Sequence, residues 1–150
     1  MKKILSVLTI LLSIVLIYHI FNKENKIECS KKTLTNEYTL TSKYKIYYKN
    51  DEVYKILIEE EIEAVTSAKL EEITQNIDET YQTYQKEIGS YEYKINKNKN
   101  KAKTKIKMDY NKMDMDAYLK YNPDANLNDN KRYNIENLKE MYEERGITCK

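Results

Sequence analysis

At 150 residues the chain is about one small domain long, and its charge is nearly balanced: 26 basic side chains against 24 acidic ones, the excess matched by Lys2 and Lys3. A nucleic-acid binder carries a net basic surplus, so that class is set aside. Trp is absent, Gly occurs twice and Pro once, and 15 tyrosines stand beside a single Phe, so tyrosine must supply the aromatic bulk of any core. The heavy use of Lys, Asn, Ile and Tyr reads as a low-GC coding background and is not itself a functional signal.

The chain opens with Met1-Lys2-Lys3 and then ILSVLTILLSIVLIYHIF, residues 4–21, which carry no formal charge. As a helix they span about 27 Å, close to a bilayer's hydrocarbon thickness. The preceding lysines hold the N-terminus in the cytoplasm and send the remainder outward. A cleaved signal peptide begins the same way but ends in small residues. Here the run ends Tyr18-His19-Ile20-Phe21-Asn22, which favours an uncleaved signal anchor. Cys29 follows Lys26-Ile27-Glu28, without the small residues of a lipidation signal. Three segments are therefore expected: a transmembrane helix at 1–21, a charged linker at 22–33, and an extracytoplasmic domain at 34–150.

Cys29 and Cys149 bracket that domain. Outside the cytoplasm such a pair is read as a disulfide tying the C-terminus to the membrane-proximal root, with two free thiols as the alternative. The only histidine, His19, lies in the anchor and cannot serve a catalytic cysteine.

From Tyr38 the even positions Tyr38, Leu40, Ser42, Tyr44, Ile46 and Tyr48 alternate with polar residues, a half-buried strand. Residues 49–52 supply a turn, and a second strand follows with Tyr54, Ile56, Ile58 and Ile62 on one face. At Thr66-Ser67 the period changes. Leu70, Ile73, Ile77, Tyr81, Tyr84 and Ile88 form one helical stripe. Thr66 or Ser67 caps its start, Glu71 and Glu72 suit its positive end, and Gly89 suits a left-handed cap.

Tyr91, Tyr93 and Ile95 alternate again, and after a turn at 98–100 so do Ala102, Thr104, Ile106, Met108 and Tyr110, a second hairpin. A short helix is expected over 114–120, ending before Pro123. Residues 122–131 read as a polar loop. The last helix starts at Asn134, turns Ile135, Leu138, Met141 and Tyr142 inward, and ends at Gly146. The order ββαββ followed by helices predicts an α+β fold: an antiparallel sheet of two β-hairpins with helices packed on one face.

The hairpin YKIYYKNDEVYKI (44–56), the long helix, the segment KTKIKMDYNKMDMDAY (103–118) and the closing helix with Gly146 resemble the YehR-like family of small bacterial lipoproteins. The likeness covers residues 38–147. It implies an α+β domain on the outer side of a cytoplasmic membrane, with no established activity and no catalytic residues to carry over. This chain departs from the family in lacking a lipobox and in placing Asn50-Asp51 where the family tends to have a glycine-led turn.

Lys103, Lys105 and Lys107 share one strand face and are the candidates for an anionic surface, whether a wall polymer or lipid headgroups. Glu59, Glu61 and Glu63 form a matching acidic row, and if the strands are neighbours the rows neutralise each other as cross-strand pairs. Glu60 points to the apolar face. Buried, it would be a general acid–base candidate; a fray or bulge at that point would instead release it to water. Asp124-x-Asn126-x-Asn128 begins like a calcium loop but has Asp129 where glycine is needed and Ile135 where a bidentate glutamate is needed. No catalytic residue, metal site or cofactor is expected. The reading is a membrane-anchored, non-enzymatic binding module of the cell envelope, whose partner is an envelope protein, an anionic polymer or another copy of itself. An envelope-acting hydrolase using carboxylates including Glu60 is the alternative.

Overall fold

The computed structural model describes residues 24–150. The anchor expected at 4–21, its cleavage and the compartment it implies lie outside them. Among the described residues no helix is long and apolar enough to cross a membrane.

Six strands, β1 (Asn25–Leu34), β2 (Tyr38–Lys49), β3 (Glu52–Ala64), β4 (Tyr91–Asn98), β5 (Lys101–Asp109) and β6 (Thr148–Cys149), form one antiparallel sheet in the order β4-β5-β3-β2-β1-β6. Three helices, α1 (Ser67–Glu87), α2 (Met115–Tyr121) and α3 (Ile135–Glu144), lie on one face. The α+β architecture is as expected, but the sheet has two strands more than the two hairpins supply.

The first addition, β1, corrects the linker expected at 22–33, and the second, β6, is a short strand at the C-terminus. Residues 25–34 pair along their whole length with β2, from Asn25 opposite Tyr48 to Leu34 opposite Thr39. Only Ile27 and Cys29 give β1 an apolar inward face, so its sequence pattern is weak and the neighbouring strand supplies the pairing. β6 adds to β1 with Cys149 directly opposite Cys29, and the two form a disulfide.

The turn between β2 and β3 uses Asn50 and Asp51 at φ 50° and 63°, the left-handed conformation these residues tolerate best after glycine. A β-bulge lies between Tyr47 and Tyr48 and corrects the inward placement of Tyr54. Val53 takes the inner position opposite Tyr48 and is fully buried, while Tyr54 turns to the outer face against Tyr47 and Lys55.

Thr66 caps α1, its hydroxyl accepting from Lys69 N at 3.1 Å, and Gly89 follows at φ 66°. The first turn carries no acidic residue. Glu71 instead reaches Lys97 on β4 at 3.0 Å, and Glu72 reaches Lys69. Asp114 caps α2 and Asn134 caps α3, each accepting two backbone N–H bonds. The 122–131 loop is tied back to the first hairpin where the Asn128 and Asn130 amides donate to Glu52 at 2.8 and 2.7 Å.

The core falls into two parts along β3. A large cluster surrounds Ile46, Val53, Ile56, Ile106, Tyr110, Ile135 and Leu138. A smaller one, under the start of α1, joins Ile62, Ala64, Leu70 and Ala102. Glu60 sits on the strand between them.

Candidate functional site

The expected residues divide between the two faces. On the outer face Lys103 pairs with Glu61 at 3.1 Å, Lys105 with Glu59 at 3.2 Å and Lys101 with Glu63 at 3.1 Å. These pairs follow the register of β3 against β5. Lys107 lies opposite Leu57 and reaches instead to Glu92 on β4 at 2.6 Å. Each lysine of the candidate row thus has a carboxylate partner, in exposed pairs that contribute little individually.

Glu60 lies on the inner face, and β3 neither frays nor bulges there. Register sets Ser42 on one side and Thr104 on the other. Their hydroxyls donate to the two Glu60 carboxylate oxygens, each at 3.2 Å. Ser42 and Thr104 are themselves buried, at 3% and 1% exposure. Sequence reading missed both as partners, since Ser42 and Thr104 are polar interruptions of apolar stripes and only the pairing aligns them. Among the described residues no cluster of three or more His, Cys, Asp or Glu could hold a metal ion.

Beyond Glu60 the inner face opens into a cleft of about 450 Å3. Its floor is Ile56 and Ile58 of β3 with Tyr91, Met108 and Tyr110. Tyr81 and Tyr84 of α1 form one wall. Leu138, Met141 and Tyr142 of α3, with Arg145 just past it, form the other. Tyr118 and Tyr121 of α2, the segment 122–125 and Tyr133 complete the lining.

Eight of the lining residues are therefore tyrosines, and their rings hold one another at tilted and edge contacts. Tyr84 meets Tyr121 at 4.9 Å and Tyr91 at 5.6 Å between centroids, and Tyr110 meets Tyr118 and Tyr133 at 5.8 Å each. Such pairs contribute about 0.5–1.5 kcal/mol each beyond their burial. Some hydroxyls are used within the wall. Those of Tyr118 and Tyr133 bond each other at 2.9 Å, and Tyr121 donates to Glu87. Those of Tyr81, Tyr84, Tyr91 and Tyr142 have no hydrogen-bond partner among the described residues.

Three of these phenols, Tyr81, Tyr91 and Tyr142, are held neutral. Burial pushes Tyr81 up to about 12, aided by the Glu60 carboxylate. Burial likewise raises Tyr91 and Tyr142. Burial raises Tyr44, Tyr133 and Tyr142, and the Arg145 charge, in the cleft lining just past α3, opposes the shift at each. The Lys31 ammonium fixes that end of α3 by donating to the Arg145 carbonyl at 2.6 Å. The Arg145 guanidinium has no hydrogen-bond or salt-bridge partner among the described residues.

The same arrangement of sheet and helices occurs in the NMR structure of E. coli YehR, with a TM-score of 0.59 and 20% identity over 85% of this chain and 91% of that one. The fold is YehR-like. An NMR structure of a protein from Streptococcus pneumoniae TIGR4 is also similar, with a TM-score of 0.54 and 12% identity over 86% of each chain. No protein-family model and no curated protein matches the sequence. At these identities the likeness to YehR is one of fold, and the cleft stands on the residues of this chain.

Proposed function

We propose that this chain is a non-enzymatic binding module of the bacterial cell envelope, held at the membrane by residues 4–21, with the tyrosine cleft as its ligand site. The observation that carries the reading is an open cleft of about 450 Å3 lined by eight tyrosines, four of whose hydroxyls, those of Tyr81, Tyr84, Tyr91 and Tyr142, have no partner among the described residues. Its size falls within the roughly 300–1,000 Å3 of small-molecule sites. The disulfide between Cys29 and Cys149 supports an oxidising, extracytoplasmic setting. Binding is favoured over hydrolysis through Glu60 because both Glu60 oxygens already accept hydroxyl hydrogen bonds from within the sheet.

The test is photo-crosslinking in intact membranes, with p-benzoyl-phenylalanine replacing Tyr84 in the full chain and, as the comparison, replacing Lys105 on the outer face. A discrete small adduct from the Tyr84 position alone is expected. Equal labelling at both positions, or none at Tyr84, overturns the reading.

A further inference from the structure

We propose that the cleft takes a carboxylated sugar: a hydroxyl-bearing ring laid against the tyrosine faces, with its carboxylate on Arg145. This rests on the reading of the cleft as a ligand site and names the chemistry of the ligand.

Three observations converge on it. The first is the character of the lining. Tyr91 and Tyr142 are 5% and 7% exposed, yet their hydroxyls are not among the side-chain atoms sealed off without a partner, so what they expose faces the cleft. With Tyr81 and Tyr84 they offer four hydroxyls that each donate and accept. An acyl chain would cover these groups without pairing them, which is costly for buried polar atoms. A sugar ring pairs them through its own hydroxyls while its C–H faces meet the aromatic rings.

The second is the size. At about 450 Å3 the cleft is of the order of a small-molecule site and suits a single compact unit.

The third is the charge. Arg145 is exposed, lines the cleft and has no side-chain partner among the described residues, and Lys31 donates to its carbonyl. A planar guanidinium matches a carboxylate with two parallel hydrogen bonds. Of the nearby acids, Asp124 lines the cleft, Glu60 accepts from Ser42 and Thr104, and Glu87 is already bonded to Tyr121.

The experiment compares glucuronate with glucose, which differ only at the carboxylate, for binding to the full chain in detergent micelles by titration calorimetry and ligand-observed NMR. Glucuronate is expected to bind at least about tenfold tighter. Arg145→Gln should weaken glucuronate by about ten- to a hundredfold, the range of a lost charge-assisted hydrogen bond, and leave glucose unchanged. Tyr142→Phe, which keeps the ring and removes the hydroxyl, should weaken both sugars alike. Lys105→Gln should change neither.

Equal affinity for the two sugars, or a glucuronate preference that survives Arg145→Gln in a folded variant, overturns the proposal. If neither sugar binds while the Tyr84 crosslinker still captures a ligand, the sugar assignment falls and the cleft stands. If neither binds and nothing is captured, both fall.

Discussion

Glu59, Glu60 and Glu61 are consecutive in β3, yet the strand delivers them to two different environments. Glu59 and Glu61 stand on the outer face against Lys105 and Lys103, half-exposed and solvated. Glu60 stands on the inner face between two buried hydroxyls, at the junction of the two core clusters. The outer face is a lattice of opposite charges that water would solvate almost as well. The inner face has exchanged water for side-chain partners, so its groups are few, specific and costly to remove. Stability therefore rests chiefly on the inner face, where the proposed ligand site also lies, while the outer face carries cross-strand ion pairs.

The strongest way to break the inner face is to release what closes it. Reducing the disulfide, or making Cys149→Ser, frees β6 and the α3 wall. For a loop of about 120 residues the chain-entropy contribution is about 4–5 kcal/mol, an upper figure, so a marked drop in urea midpoint is expected. Ile56→Ala, at the floor of the cleft, should cost about 2–5 kcal/mol in the same assay.

Next comes the direct comparison of neighbours. Glu60→Ala leaves Ser42 and Thr104 without their acceptor and should cost about 1–3 kcal/mol, whereas Glu61→Ala should cost less than about 1 kcal/mol. Equal costs measured by denaturation would erase the distinction between the faces. Added salt sharpens the same contrast: about 1 M salt should reduce the effect of Glu61→Ala and leave that of Glu60→Ala nearly unchanged.

The pH dependence also belongs to the inner face. Burial holds Tyr81 at about 12, above the value of about 10 for an exposed tyrosine. Between those values the unfolded chain has released the phenol proton and the folded chain has kept it. The unfolded state then binds fewer protons, and stability falls as pH rises. The contribution is complete below about pH 10 and is lost as pH rises through about 12. Unfolding midpoints followed alongside phenolate absorbance should show a plateau and then a decline; a rise in stability above about pH 10 would contradict the buried placement.

Much of this division was legible in the residue pattern. The alternation from Tyr38 to Tyr48 set the inner face of β2, and the lysine and glutamate rows fell out of the same period of two. The stripe from Leu70 to Ile88, the cap at Thr66 or Ser67 and the expected starts at 114 and Asn134 placed the helices to within a residue or two. What escaped had no local signature. β1 carries too few apolar residues to announce a strand, and β6 is only two residues long. The bulge that turns Tyr54 outward is an event between strands. The cleft joins residues from β3, β4, β5 and all three helices, and no spacing along the chain points to Arg145 as its cation.

Taken alone, the sequence determined the periods, caps and turns, because these depend on backbone geometry over a few residues, and it determined that tyrosine would build the core. Only the tertiary structure decided which strands became neighbours, that Ser42, Glu60 and Thr104 form one row, and that α1 and α3 stand apart over β3 to leave a cleft. Those outcomes depend on groups far apart in the chain meeting at hydrogen-bond distance, and pairing across the sheet, not order along it, fixes such meetings.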